Sequence, residues 1–86
     1  MHLDNIKKEL DQIGYHTFIA SERLMVGIQD GIIPELNGIK LKNFCIVYLE
    51  PNNTFVVDFS TGTLPEWEEF TSESAVVKFI KEKFKM

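Results

Sequence analysis

Phe44-Cys45-Ile46-Val47-Tyr48-Leu49, Glu50-Pro51-Asn52-Asn53 and Thr54-Phe55-Val56-Val57-Asp58-Phe59 follow one another without a break, and their reading decides the fold. The outer runs are β-branched and aromatic, and the middle one is rich in turn formers, so the stretch is a β-hairpin. In its second arm Phe55, Val57 and Phe59 point one way, and Thr54, Val56 and Asp58 the other. The first arm is apolar on both faces. That predicts a central strand, covered at least partly on each side.

Toward the N-terminus, Leu3, Ile6, Leu10 and Ile13 form one stripe of a 3.6-residue repeat, with Asp4 as a cap or first-turn acid. Gly14 stands where a left-handed terminating residue is wanted, so Leu10 and Tyr15 should make the hydrophobic contact of a Schellman ending. His16–Ala20 and Leu24–Ile28 then read as two strands joined across Ser21-Glu22-Arg23, with Asp30-Gly31 ending the second. Between 32 and 43, Pro34 counts against a central strand and Asn37-Gly38 signals a turn. Ile39-Lys40-Leu41-Lys42 alternates, as either a short edge strand guarded by lysines or the start of the next strand.

Toward the C-terminus, Ser60-Thr61-Gly62 breaks the sheet. Thr63-Leu64-Pro65-Glu66 has the S/T-x-x-E form of a capping box. It predicts a short helical turn through Trp67 to Phe70, with Leu64, Trp67 and Phe70 on one side. Thr71-Ser72-Glu73 starts a last helix with Val76, Phe79, Ile80 and Phe84 as its apolar stripe. Glu73 at its start and Lys78, Lys81, Lys83 and Lys85 toward its end suit the helix dipole. The expectation is one α+β domain over residues 1–86, a two-layer sandwich. An N-terminal helix, an antiparallel meander of four to five strands, the short helical turn and a C-terminal helix make it up. Several unrelated small domains share that order, so it names none of them.

Composition narrows the function. The chain has 86 residues, 44% apolar and 26% charged, which suits one small folded domain whose every apolar stripe is needed for the core. Its longest apolar run is six residues, too short to span a bilayer. Met1 to Ile13 is polar and periodic, so no secretory signal is expected. A single Cys makes no internal disulfide, and a cytoplasmic setting is the default. Lys outnumbers Arg eight to one and Ile is abundant, a pattern of low-GC coding such as that of many bacteria and phages.

The net charge of −4 hides an uneven arrangement. Residues 1–42 carry −1, residues 43–77 carry −6 with no basic residue, and residues 78–86 carry +3. A middle third this acidic repels phosphate backbones, so nucleic acid is disfavoured as a partner.

No catalytic constellation stands out. Cys45 lies in an apolar strand, where a thiol is a small buried hydrophobe, and no basic residue follows it before Lys78. His2 and His16 belong to no metal-binding or nucleophile-activating pattern, and no phosphate-binding glycine motif occurs. Calcium-loop spacing is absent, and so short a chain leaves little material for a glycosidase cleft. No catalytic residue, metal site or cofactor is expected.

Glu66, Glu68 and Glu69 around Trp67 have three readings. They are a solvated first helical turn with Trp67 in the core, a partner-binding surface with Trp67 as a semi-exposed anchor, or a carboxylate pair for hydrolysis or Ca²⁺. The favoured function is a non-enzymatic protein–protein interaction module that meets a basic partner surface, by analogy of charge and size with small acidic inhibitors of nucleic-acid enzymes. Glu66, Trp67, Glu68 and Glu69 are the first contact candidates, with Asp58 and Glu50 next. One alternative is a small-molecule binder or enzyme with a pocket between sheet and helices, lined by Tyr15, Phe18, Tyr48 and Trp67. The other is a self-associating subunit, a homodimer using an uncovered sheet face or an edge strand.

Overall fold

The computed structural model describes residues 2–33, 35, 38–61 and 64–85, the side chains of 2, 30, 32, 33, 39–43, 60 and 61 excepted. Helix α1 (His2–Ile13) leads into strands β1 (His16–Ala20), β2 (Arg23–Ile33), β3 (Gly38–Leu49), β4 (Phe55–Thr61) and β5 (Leu64–Phe70), and α2 (Glu73–Lys83) closes the chain. The five strands form one antiparallel sheet in chain order, an unbroken meander. Both helices lie on one face and touch each other, α1 over β1 to β3 and α2 over β4 and β5. The α+β architecture read from the sequence is the one observed.

Local chemistry sets the ends of α1. Gly14 has φ 119°, a conformation costly for any residue with a Cβ. Its N–H donates to the Asp11 carbonyl at 3.2 Å, and the Tyr15 N–H donates to the Leu10 carbonyl at 3.0 Å. This is the bond pair of a Schellman ending. Leu3, Ile6 and Leu10 are fully buried, whereas Ile13 is 39% exposed. The stripe therefore ends at Leu10, because the chain turns there to seat Tyr15 in the core. At the other helix the Ser72 hydroxyl accepts from the Ala75 N–H at 3.2 Å, capping α2 where the sequence placed its start.

The β1–β2 connection is tighter than the sequence suggests. Ala20 pairs with Arg23, leaving a two-residue turn at Ser21 and Glu22, both at positive φ (51° and 61°). Asp30-Gly31 does not end β2, which continues to Ile33. A register shift between Gln29 and Ile32 absorbs the extra residue there, with Gly31 at φ 101°. Of the two readings of Ile39–Lys42, the second holds: it is the start of the next strand, β3, and pairs with β2 rather than forming an edge. β2 and β3 thus run on as a two-stranded arm past the last partners of β1 and β4, and the molecule measures 42 × 28 × 24 Å. The turn expected at Asn37-Gly38 and the role of Pro34 lie outside the described residues.

The main correction concerns Leu64–Phe70. It is the edge strand β5, paired with β4 from Phe55↔Phe70 to Thr61↔Leu64, and not a helical turn. Spacing suited to one helical side misled here, because pairing with an apolar neighbour outweighs local propensity in a strand.

The core sits between the helices and one face of the sheet. Leu24, Val26, Cys45, Val47, Phe55, Val57 and Phe59 meet Leu3, Ile6, Leu10, Val76, Ile80 and Phe84, all of them buried. Phe79 of α2 packs its ring on Phe59 and Phe70 at centroid distances of 5.5 and 5.1 Å, which ties β5 to the helix layer. Tyr15 joins the two helices: its hydroxyl donates to the Phe84 carbonyl at 2.6 Å, at the end of α2.

Candidate functional site

Strand geometry separates residues that are neighbours in sequence. Successive side chains of β5 alternate between faces, so Glu66, Glu68 and Phe70 share the helix side and Trp67 and Glu69 share the opposite side. Glu68 stands opposite the core residue Val57, and Glu66 opposite Phe59, yet both are exposed because β5 is an edge. The six contact candidates therefore divide. Trp67, Glu69, Asp58 and Glu50 belong to the face away from the helices, and Glu66 and Glu68 to the other.

The face away from the helices is built from two cross-strand rows. Phe18, Met25, Ile46, Asp58 and Trp67 stand directly opposite one another across all five strands. Ala20, Arg23, Tyr48, Val56 and Glu69 form the next row. No described element covers them. Trp67 is 65% exposed and Phe18 43%, which settles Trp67 as a surface residue. Val56, by contrast, is buried between its row neighbours Tyr48 and Glu69, so this face is packed as well as open.

The carboxylates gather around Tyr48. Its hydroxyl is held above the ordinary tyrosine value, first by loss of solvent and then by the negative charges of Asp58, Glu50 and Glu69, with Arg23 opposing. The Arg23 guanidinium lies over the Tyr48 ring, 4.8 Å from its centroid. Glu50 is positioned by the β3–β4 turn, where its N–H donates to the Thr54 carbonyl at 2.8 Å and its carbonyl accepts from the Asn53 N–H at 2.9 Å.

Tyr15 alone of the four aromatics proposed for a pocket faces the helices. Phe18 and Trp67 lie in the first open-face row and Tyr48 in the second, so the four cannot line one cavity between sheet and helices. A shallow cleft of about 440 Å³ lies instead at the start of α2, lined by Leu49, Asn53, Phe55, Thr71, Ser72, Glu73 and Ser74. Glu73 is the one ionisable side chain among its described lining residues.

Cys45 is buried in the core face of β3, and burial pushes its thiol up to about 12. Burial of this kind disfavours the thiolate, the form in which a cysteine acts as a nucleophile. Among the described residues no group of three His, Cys, Asp or Glu side chains is placed to hold a metal ion. No helix among them is long and apolar enough to cross a membrane.

Sequence reasoning named Trp67 and Asp58 as contact candidates without linking them to Phe18, Met25 and Ile46, their row partners in the sheet. The available signal was the apolar character of both faces of Phe44–Leu49, which leaves Ile46 and Tyr48 pointing away from the core. No family model, curated protein or solved structure matches this chain significantly.

Proposed function

We propose that the protein is a non-enzymatic interaction module whose open sheet face docks a protein partner bearing a basic surface. The observation that carries this reading is the row Phe18–Met25–Ile46–Asp58–Trp67, an apolar strip crossing the whole sheet with one acid within it. Contiguous apolar surface rimmed by polar groups is characteristic of binding faces. Exposed Trp is the residue type most often found as an interface anchor. Glu50, Asp58 and Glu69 outnumber Arg23 there, so the face would steer a basic partner into register and reject an acidic one. Glu66 and Glu68, on the edge strand, would act at the rim, where charge influences association rate more than affinity.

A bait experiment tests the reading. Wild-type protein, a Trp67→Leu and Asp58→Asn double variant, and a Lys81→Gln control on α2 are immobilised side by side, and the captured partner is purified and titrated calorimetrically. Support is a partner bound by wild type and control, weakened about tenfold or more by the double variant, and weakened by salt. A partner indifferent to both substitutions contradicts the reading. So does a wild-type protein that only pairs with itself, as light scattering after size exclusion would show.

A further inference from the structure

The geometry points to an arginine side chain of the partner seated on the Trp67 indole beside the Asp58 carboxylate, a deepening that rests on the docking reading above. Asp58 stands directly opposite Trp67 on the β4–β5 ladder, so a carboxylate and an exposed indole lie side by side on the open face. Directly opposed side chains on one sheet face have Cβ atoms about 5 Å apart. A planar cation resting on the ring is thus within reach of the carboxylate. Among the described residues no cation of this chain lies over the Trp67 ring or pairs with Asp58.

The same face shows the arrangement already made once. In the adjacent row Arg23 covers Tyr48, and the acids Asp58, Glu50 and Glu69 act on that ring from around it. Guanidinium on an aromatic face beside carboxylates is therefore a grouping this sheet supports. Trp67 is the better platform, since the indole ring attracts cations more strongly than the phenol ring. Arg fits more closely than Lys, because its flat, weakly hydrated guanidinium stacks on the ring and still presents edge N–H groups to a carboxylate. Charge favours a cation of either kind: Glu69 lies in the neighbouring row on β5, so the seat is acidic on two sides.

Trp67 is the single tryptophan of the chain, which makes it a reporter of its own occupancy. The probes are a short peptide alternating Ser and Arg and its Ser-Lys counterpart, titrated into the full chain. Indole emission and the Nε1–H resonance are followed in wild type, Asp58→Asn and Glu82→Gln. The expected result is a Trp67 response to the Arg peptide, with the Lys peptide at least about threefold weaker. Asp58→Asn should weaken the Arg peptide about three- to fivefold. Glu82→Gln, exposed on α2, should leave it unchanged.

Equal response to both peptides overturns the arginine seat while leaving a basic partner standing. No Trp67 response to either peptide overturns it as well. The bait experiment then shows separately whether the docking face fails too. If Asp58→Asn does not fold by circular dichroism, Trp67→Leu replaces it: the preference for Arg in backbone amide shifts must vanish, and its persistence contradicts the proposal.

Discussion

Asp58 and Trp67 face each other across the β4–β5 ladder, on the side of the sheet opposite both helices. A large aromatic ring on a surface strand contributes little to folding, whereas a small aliphatic group in the helix layer contributes much. Trp67→Ala is expected to cost under about 1 kcal/mol. Ile80→Ala, which removes a fully buried side chain, is expected to cost about 2–5 kcal/mol. Urea denaturation of the two variants checks the contrast. Equal costs would place Trp67 in the core.

The Tyr15 hydroxyl is buried and holds the end of α2 through the Phe84 carbonyl at 2.6 Å. Tyr15→Phe leaves the ring in place but strands that carbonyl, at a cost of about 1–2 kcal/mol. Burial, and then the nearby Cys45, raise the Tyr15 pKa. A raised folded value means that the proton is held more tightly in the native state. Stability is therefore whole below the unfolded value of about 10 and falls as pH rises through the folded one. Cys45, pushed to about 12, acts in the same sense from about pH 8.5 upward. Melting temperature against pH should show an alkaline decline that Tyr15→Phe with Cys45→Ala reduces, and an unchanged decline counts against these assignments.

At the acid end, Asp11 joins α1 to β1. Burial would raise its pKa, but hydrogen bonds from the Lys7 ammonium (2.7 Å) and the Thr17 hydroxyl, with the charges of Lys7 and His16, hold it below the usual carboxylate value. A lowered folded value gives stability that is present above the unfolded pKa, about 3.9, and is lost as pH falls through the folded one. Asp11→Asn should therefore be less stable than wild type at neutral pH, with the gap closing below about pH 4. A gap independent of pH would show that the charge is not what matters.

Ser21 and Glu22 form a two-residue hairpin turn with both φ angles positive. Residues with a Cβ pay for that conformation, and Asn-Gly is the pair that adopts it most readily. Replacing them as Ser21→Asn with Glu22→Gly should stabilise the protein by about 1 kcal/mol, read from thermal or urea unfolding. Loss of stability would mean that the turn has another shape.

How far the chain could be read in advance follows from where tertiary contacts decide structure. The α1 stop was legible at Gly14, and the β3–β4 hairpin at Pro51-Asn52-Asn53, because local backbone preference settles both. β5 was not legible. Its Pro65 and three acids resemble a helix start, and only an edge strand tolerates them in a sheet. That one difference also hid the shape of the site. In a helical turn Glu66, Trp67, Glu68 and Glu69 would form one cluster. In a strand they fall on two faces, and Trp67 gains Asp58, Ile46, Met25 and Phe18 as neighbours in its row. Those partners lie far apart in sequence and are brought together by register alone.

The proposed docking face is tested most directly by mapping amide and side-chain resonances of isotope-labelled protein as the captured partner is added. Docking on the open face should shift Phe18, Met25, Ile46, Tyr48, Asp58 and Trp67, and leave the outward residues of α1 and α2 in place. Shifts centred on the helices, with the Trp67 indole unmoved, would contradict it.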